Sequence, residues 1–164
     1  MSVKKRMSET RERKRNSNVP SSYLLPIRNG KVFLIRRYNT GYEDGKYSVV
    51  AGHLEVGESF TEAVIREAWE EAGIRIKPEQ VAVAHVMHRN DGPDNVRMDT
   101  FFVLKEWEGE LGNNEPDRCD HVAWFPLDNL PENMVSFVRQ ALEHIRHDER
   151  YSEFGWDGTN TFKS

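Results

Sequence analysis

The segment from Gly52 to Ile74, GHLEVGESFTEAVIREAWEEAGI, constrains this chain more than any other. A helix turns about 100° per residue. On that wheel Phe60, Ala63, Val64, Ala68 and Ala72 share one apolar arc, which has to face a core. Glu67, Glu70 and Glu71 fall inside the same arc, so the face begins apolar and ends in carboxylates. Glu67 and Glu71 are like charges four apart, which costs roughly 0.2–0.5 kcal/mol even in solvent. Turned toward an interior, unpaired carboxylates cost far more or take up protons. A hard divalent cation removes the conflict, because Mg²⁺ takes oxygen ligands, keeps several waters and bridges to phosphates. The ordinary alternative is a solvated charged helix in which Arg66 pairs with Glu62 or Glu70.

The ends of that helix are marked. Ser59 with Glu62 three residues later predicts a capping box, and Gly73 suits the residue that ends the helix. Ahead of it, 22–28 (SYLLPIR) and 31–37 (KVFLIRR) read as strands joined by Asn29-Gly30, a strong hairpin signal. Residues 38–46 read as a loop, and two short apolar pieces, 47–50 and 53–56, flank Gly52. Residues 81–89 and 96–107 read as a second hairpin, 111–120 as irregular, and 121–125 as a short strand. Met134, Phe137, Val138, Ala141, Leu142 and Ile145 predict an amphipathic helix over 133–147. Strands surrounding two helices make an α/β or α+β domain.

Length and charge narrow the classes. A chain of 164 residues suggests one domain, expected over 19–150, between a basic arm over 1–18 and a tail over 151–164 that has aromatics but no period. No apolar run approaches the roughly 18 residues of a membrane span, and the first residues lack the apolar region of a signal peptide. The single Cys119 cannot form an internal disulfide, so reducing surroundings and a cytoplasmic location are expected. The net charge of −4 hides an asymmetry: residues 1–16 hold seven Lys/Arg and two Glu, or +5, leaving −9 for the remainder. The arm reads as a solvated disordered tail, with RNA contact as its functional alternative. An acidic body suits an enzyme that recruits metal to carboxylates.

Between Gly52 and Ile74 stand Gly52, Glu58, Arg66, Glu67, Glu70, Glu71 and Gly73, at the gaps of the Nudix box. The match covers 23 of the 164 residues, and all seven fixed positions are filled. The chain therefore resembles a Nudix hydrolase. The resemblance implies the Nudix fold, a mixed β-sheet sandwiched between α-helices (α/β/α). It implies Mg²⁺, with Mn²⁺ as a substitute, held by Glu67, Glu70 and Glu71. Glu67 is then a candidate base, Arg66 orients the glutamates, and Glu58 supports the loop or touches a metal through water. A backbone carbonyl before the helix joins the metal in such enzymes. Here Ala51-Gly52 stands where many relatives have Gly-Gly, and the Ala51 carbonyl is retained.

FLIRR at 33–37, WEGE at 107–110 and NEP at 114–116 are similar to the MutT-type antimutator branch. That likeness implies Glu115 as a further metal ligand or base, Arg37 as a phosphate contact and Asn133 as a reader of a purine edge. A loop glutamate, a strand-edge arginine and the N-cap of the last helix are the plain alternatives. Trp124-Phe125 reads as core, while Phe101 or Tyr42 is a candidate for stacking on a base. His85 and His88 lie three apart in a strand, on opposite faces. The expected activity is Mg²⁺-dependent cleavage of a nucleoside triphosphate with release of pyrophosphate, or of another nucleoside diphosphate derivative. A nucleotide-sugar or dinucleotide pyrophosphatase is the alternative, and a non-catalytic nucleotide-binding regulator is a third reading. Relatives that cut ADP-ribose usually carry a proline about fifteen residues past the box, whereas Pro93 lies nineteen past Ile74.

Overall fold

The computed structural model describes residues 15–157. Most of the basic arm and the last seven residues of the tail lie outside that range. Strand β1 (Asn18–Arg28) is the spine of the molecule. Its first part pairs in parallel with β6 (Val96–Leu104) on one edge and antiparallel with β4 (Val50–His53) on the other. Its last two residues pair with β2 (Lys31–Arg37) across a tight hairpin. Asn29 and Gly30 both have positive φ, 52° and 70°, the backbone that a two-residue hairpin turn requires.

From there the sheet grows in two directions. β2 is flanked by β3 (Tyr47–Ser48) and β7 (Cys119–Pro126), and β6 is followed outward by β5 (Val81–Asn90) and β8 (Tyr151–Phe154). Helix α1 (Phe60–Ala72) packs on one side of the sheet, where Leu24, Val50, Val64, Ala68 and Phe102 form a core. Helix α2 (Ser136–Arg146) packs on the other side, over Tyr23, Leu25, Met87 and Phe101. This mixed sheet between two helices is the expected α/β/α arrangement. Among the described residues no helix is long and apolar enough to cross a membrane.

Four expectations shift. β1 begins at Asn18, opposite Val96, so the last residue assigned to the arm belongs to the sheet. α2 starts at Ser136 with Val135 as its cap, three residues late. The reason is that Asn133 O accepts from Tyr47 N and Tyr47 O from Val135 N, so 133–135 run extended beside β3. Asn133 is therefore not the N-cap. Tyr151–Phe154, read as tail, form β8 parallel to β5. Trp124 is 36% exposed on the edge strand β7, resting on Phe33 and Trp107 rather than inside the core.

Candidate active site

Helix α1 carries the site. Ser59 caps it: its Oγ accepts from Glu62 N while the Glu62 carboxylate accepts from Ser59 N. Gly73 ends it in a left-handed conformation, φ 71°. With both ends fixed, the apolar arc packs its first turns on the sheet, and the same face then delivers Glu67 and Glu71 against β4. Glu67 is only 8% exposed. Glu71 accepts from Ala51 N at 2.9 Å. Glu70 stands at the solvent edge of the same cleft.

Arg66 organises the carboxylates. Its Nε donates to Glu58 Oε1 at 2.8 Å, and its Nη2 donates to Glu58 Oε2 and to the His53 carbonyl. Its Nη1 donates to Glu67 Oε1 at 2.6 Å and Glu70 Oε2 at 3.0 Å. One planar guanidinium thus ties the loop after β4 to two glutamates of the helix. Beside it, Arg66 holds the Glu58 carboxyl below the usual carboxylate range.

Glu67 and Glu71 are electrostatically strained. Burial pushes Glu67 up to about 7, with Arg66 opposing and Glu70 and Glu115 adding to the rise. Burial, then the charge of Glu67, pushes Glu71 up to about 8. Such carboxyls either hold protons or need a cation. Gly52 makes room for the arrangement, since a Cβ there would lie 1.8 Å from Glu67 Oε1. Among the described residues no three His, Cys, Asp or Glu side chains stand already gathered as ligands, because Glu67 and Glu70 face Arg66. The hard, crowded oxygen donors nevertheless fit a divalent cation by their chemistry.

Glu115 joins them from a distant loop. Asn114 Nδ2 donates to Trp69 O and Glu70 O, Asn114 N donates to Glu71 O, and Gly112 N donates to Ala72 O. The loop therefore docks on the carbonyls of the last turn of α1 and sets Glu115 in a cleft of about 370 Å³ with Glu67, Glu70, Glu71, Arg37 and Cys119. Cys119 is buried, and its thiol donates to His121 O.

Arg37 lies where this cleft meets a second cavity of about 330 Å³. Its guanidinium donates to Tyr42 O at 2.7 Å and Thr40 Oγ1 at 3.0 Å, both neutral oxygens. Ala51, Gly52 and His53 line both spaces, so β4 is their common wall. Tyr23, Tyr42 and Phe137 give the second cavity its aromatic surface. Of the two stacking candidates, Tyr42 lines it and Phe101 is fully buried against Tyr23. Asn133 stands apart: its Nδ2 donates to Gly45 O, and it lines neither space. His85 is buried between Glu149 O and Ser152 Oγ, and His88 packs on Trp156, so neither belongs to the site.

Sequence reasoning missed Ser21, Arg89, Arg97 and Asp99 around the second cavity. A signal existed in the alternation of β1 and β6, where Ser21 and Asp99 occupy positions continuous with Tyr23, Leu25 and Phe101 on the core-facing side.

Comparison with known proteins agrees with this geometry. The NUDIX domain model matches residues 19–145. A NAD-capped RNA hydrolase NudC of Mannheimia succiniciproducens is 43% identical over 145 residues, 84% of this chain and 43% of that protein. The NudC of Chromobacterium violaceum is 27% identical over 128 residues, 77% of this chain and 46% of that protein. The chain spans less than half the length of these curated relatives. A MutT NUDIX hydrolase structure from Burkholderia pseudomallei superposes with a TM-score of 0.71 at 27% identity, over 78% of this chain and 98% of that one. With its box complete, its glutamates on one helix face and the family model spanning most of its length, the chain belongs to the Nudix hydrolase family.

Proposed function

We propose that this chain is a divalent-metal-dependent hydrolase of nucleoside phosphoanhydrides, with a nucleoside triphosphate as substrate and pyrophosphate as one product. The observation that carries the reading is the pair of spaces sharing β4 and Arg37: one lined by four glutamates, the other by aromatic rings. A nucleotide laid across that wall puts its base among the rings and its phosphates among the glutamates, with Arg37 between them.

Glu67, Glu70 and Glu71 would hold the metal, joined by Glu115 and the Ala51 carbonyl. The bound metal, Mg²⁺ or Mn²⁺, would neutralise the phosphates and acidify the attacking water. Arg66 fixes the directions of Glu67 and Glu70. Arg37, bonded among the described residues to two neutral oxygens, offers its charge to the phosphate at the junction. Glu67, buried beside Glu71 in the cleft, is the first candidate to accept a proton from the attacking water. Glu115 reaches the same cleft from the opposite side and is the second candidate for that step. Asn133 as a base reader would need its bond to Gly45 released, so the rings and polar groups of the second cavity are the stronger base contacts.

The relatives named as NAD-capped RNA hydrolases favour a second reading, cleavage of the diphosphate of a dinucleotide or of a capped RNA end. Product identification separates the two. Nucleoside triphosphates, NAD and NAD-capped RNA are each incubated with Mg²⁺ or Mn²⁺ and the products weighed by mass spectrometry. The expected result is nucleoside monophosphate plus pyrophosphate from a triphosphate. Cleavage of NAD or capped RNA with triphosphates left intact would install the second reading, and full activity in EDTA would refute both.

A further inference from the structure

The turn that brings Glu115 to the glutamate cleft brings a second residue with it. Arg118 N and Cys119 N both donate to Glu115 O at 2.9 Å, and Pro116 takes the turn position that its fixed φ favours. Tyr38 N donates to Arg118 O at 2.9 Å, and Asn113 Nδ2 donates to Cys119 O at 2.7 Å. The backbone at 118 is therefore held from both sides. Glu115 and Arg118, the two ends of the turn, both line the cleft. They are not paired with each other. Among the described residues the Arg118 side chain makes no hydrogen bond and no ion pair. Asp120, two residues on, is taken by Arg36 through both oxygens, at 2.7 and 3.2 Å, and neither Asp117 nor Asp120 lines the cleft.

The charged side chains lining the cleft are thus four glutamates, Arg37 and Arg118, beside a His53 whose burial favours its neutral form. A cation bound by the glutamates answers their charge. The two arginines are left for an anion, and they are not equivalent. Arg37 also lines the second cavity, whereas Arg118 lines the glutamate cleft alone. A substrate with its nucleoside in that cavity meets Arg37 first. Arg118 meets whatever lies farthest from the nucleoside. In a nucleoside triphosphate that distal end is a terminal phosphate, whose oxygens match the planar fork of a guanidinium. In a dinucleotide it is a second nucleoside, which offers no anion there. Pyrophosphate leaving a triphosphate carries the distal charge away with it, so a cation at this place steadies the fragment that departs.

We propose that Arg118 selects a terminal phosphate in this cleft and is the residue that favours a triphosphate over a dinucleotide. The inference rests on the nucleotide-hydrolase reading above and adds what decides between its two substrate classes.

Arg118→Gln and Arg118→Lys test it, each assayed with Mg²⁺ on ATP, GTP and NAD, with NAD used as a competitor if it is not cleaved. In Arg118→Gln, kcat/KM for the triphosphates should fall about tenfold or more, while the value for NAD should change less than about twofold. Arg118→Lys keeps the charge but loses the fork, so its loss should lie between. The gap between wild type and Arg118→Gln should narrow as salt rises, because the residue is exposed. Inorganic pyrophosphate carries the distal charge without a nucleoside, and it should inhibit Arg118→Gln about threefold or more weakly than wild type. The melting temperature and its rise with Mg²⁺ should stay at the wild-type values, which separates this role from a structural one.

Equal losses on triphosphate and NAD, or unchanged inhibition by pyrophosphate, would overturn the inference. So would a triphosphate-selective loss found in Arg97→Gln and not in Arg118→Gln, because Arg97 lines the second cavity and the phosphates would then lie there. If the protein cleaves NAD and leaves triphosphates intact, the substrate reading fails by itself. Inhibition of NAD cleavage by pyrophosphate then judges Arg118: weaker inhibition in Arg118→Gln upholds its role, and equal inhibition overturns it.

Discussion

Adding one methyl group at Gly52 tests the geometry most directly. The backbone there is not left-handed, so alanine is allowed and the effect is purely steric. Its Cβ would sit 1.8 Å from Glu67 Oε1, 2.2 Å from Cδ and 2.9 Å from Cγ. All three atoms belong to the flexible end of one side chain, so Glu67 swings aside while β4 stays. That motion gives up the 2.6 Å bond to Arg66 Nη1. A charge-assisted bond is worth about 1.5–3 kcal/mol. Alanine in place of glycine in a strand returns about 0.5–1 kcal/mol. The net loss of about 1–2 kcal/mol corresponds to a drop in Tm of about 2–8 °C for a chain of this length. The catalytic loss is larger, on the order of a hundredfold in kcat, because a displaced ligand or base spoils the reacting geometry. Thermal melting with and without Mg²⁺, alongside steady-state kinetics, measures both. If Gly52→Ala keeps wild-type kcat together with a wild-type Mg²⁺-induced rise in Tm, Glu67 does not act from the position described.

Glu70→Gln and Glu71→Gln should each lower kcat by on the order of a hundredfold with the fold intact, and wild-type turnover in EDTA would remove the basis for this. Glu115→Gln should slow turnover by well over tenfold with nucleotide affinity nearly unchanged; a smaller loss with unaltered metal dependence would return Glu115 to the surface. Deleting residues 1–16 should change kcat/KM on a free nucleotide less than twofold, whereas on an RNA substrate any loss should shrink as salt rises. Burial holds His85 below the ordinary histidine value, with His144 adding to the effect. The unfolded chain then binds more protons at that residue, so this contribution to stability is intact above about pH 6.5 and is lost as pH falls below it, by at most about 1.4 kcal/mol per pH unit. Urea midpoints at pH 7.5 and 5.5 should therefore converge in His85→Gln relative to wild type, and an equal acid loss in both proteins would clear His85 of the effect.

What the sequence disclosed depended on the range over which each pattern is written. α1 was legible to within a residue, because its cap, its C-terminal glycine and its misplaced carboxylates lie within one short segment. The β1–β2 hairpin was legible for the same reason. The glutamate cleft was expected from the box glutamates together with the NEP likeness at 114–116. The second cavity was not, because Ser21 and Asp99 meet through a parallel ladder joining segments 78 residues apart in sequence (99 − 21). Nothing local marks either residue as a neighbour of the other. β8 was missed likewise: a four-residue edge strand has no periodicity to read, and its pairing with β5 is fixed by tertiary packing. Asn133 shows the opposite failure, since its residue type suits a cap, but the chain around it is drawn into pairing with Tyr47 before α2 begins.

The wall formed by β4 limits how such a protein can be altered. Ala51 lends its N–H to Glu71, Gly52 yields its side-chain space to Glu67, and His53 gives its carbonyl to Arg66 while its ring accepts from Arg97 on the cavity side. Three consecutive residues thus border the glutamate cleft and the second cavity at once. On the proposed reading, a change at any of them should move metal and nucleotide affinity together and combine non-additively with changes in either space. Ser21, Tyr42 and Asn95 border the second cavity without lining the glutamate cleft, so on the proposed reading changes there should alter nucleotide preference with less effect on turnover. Libraries aimed at new substrates are best confined to those positions, with 51–53 held constant.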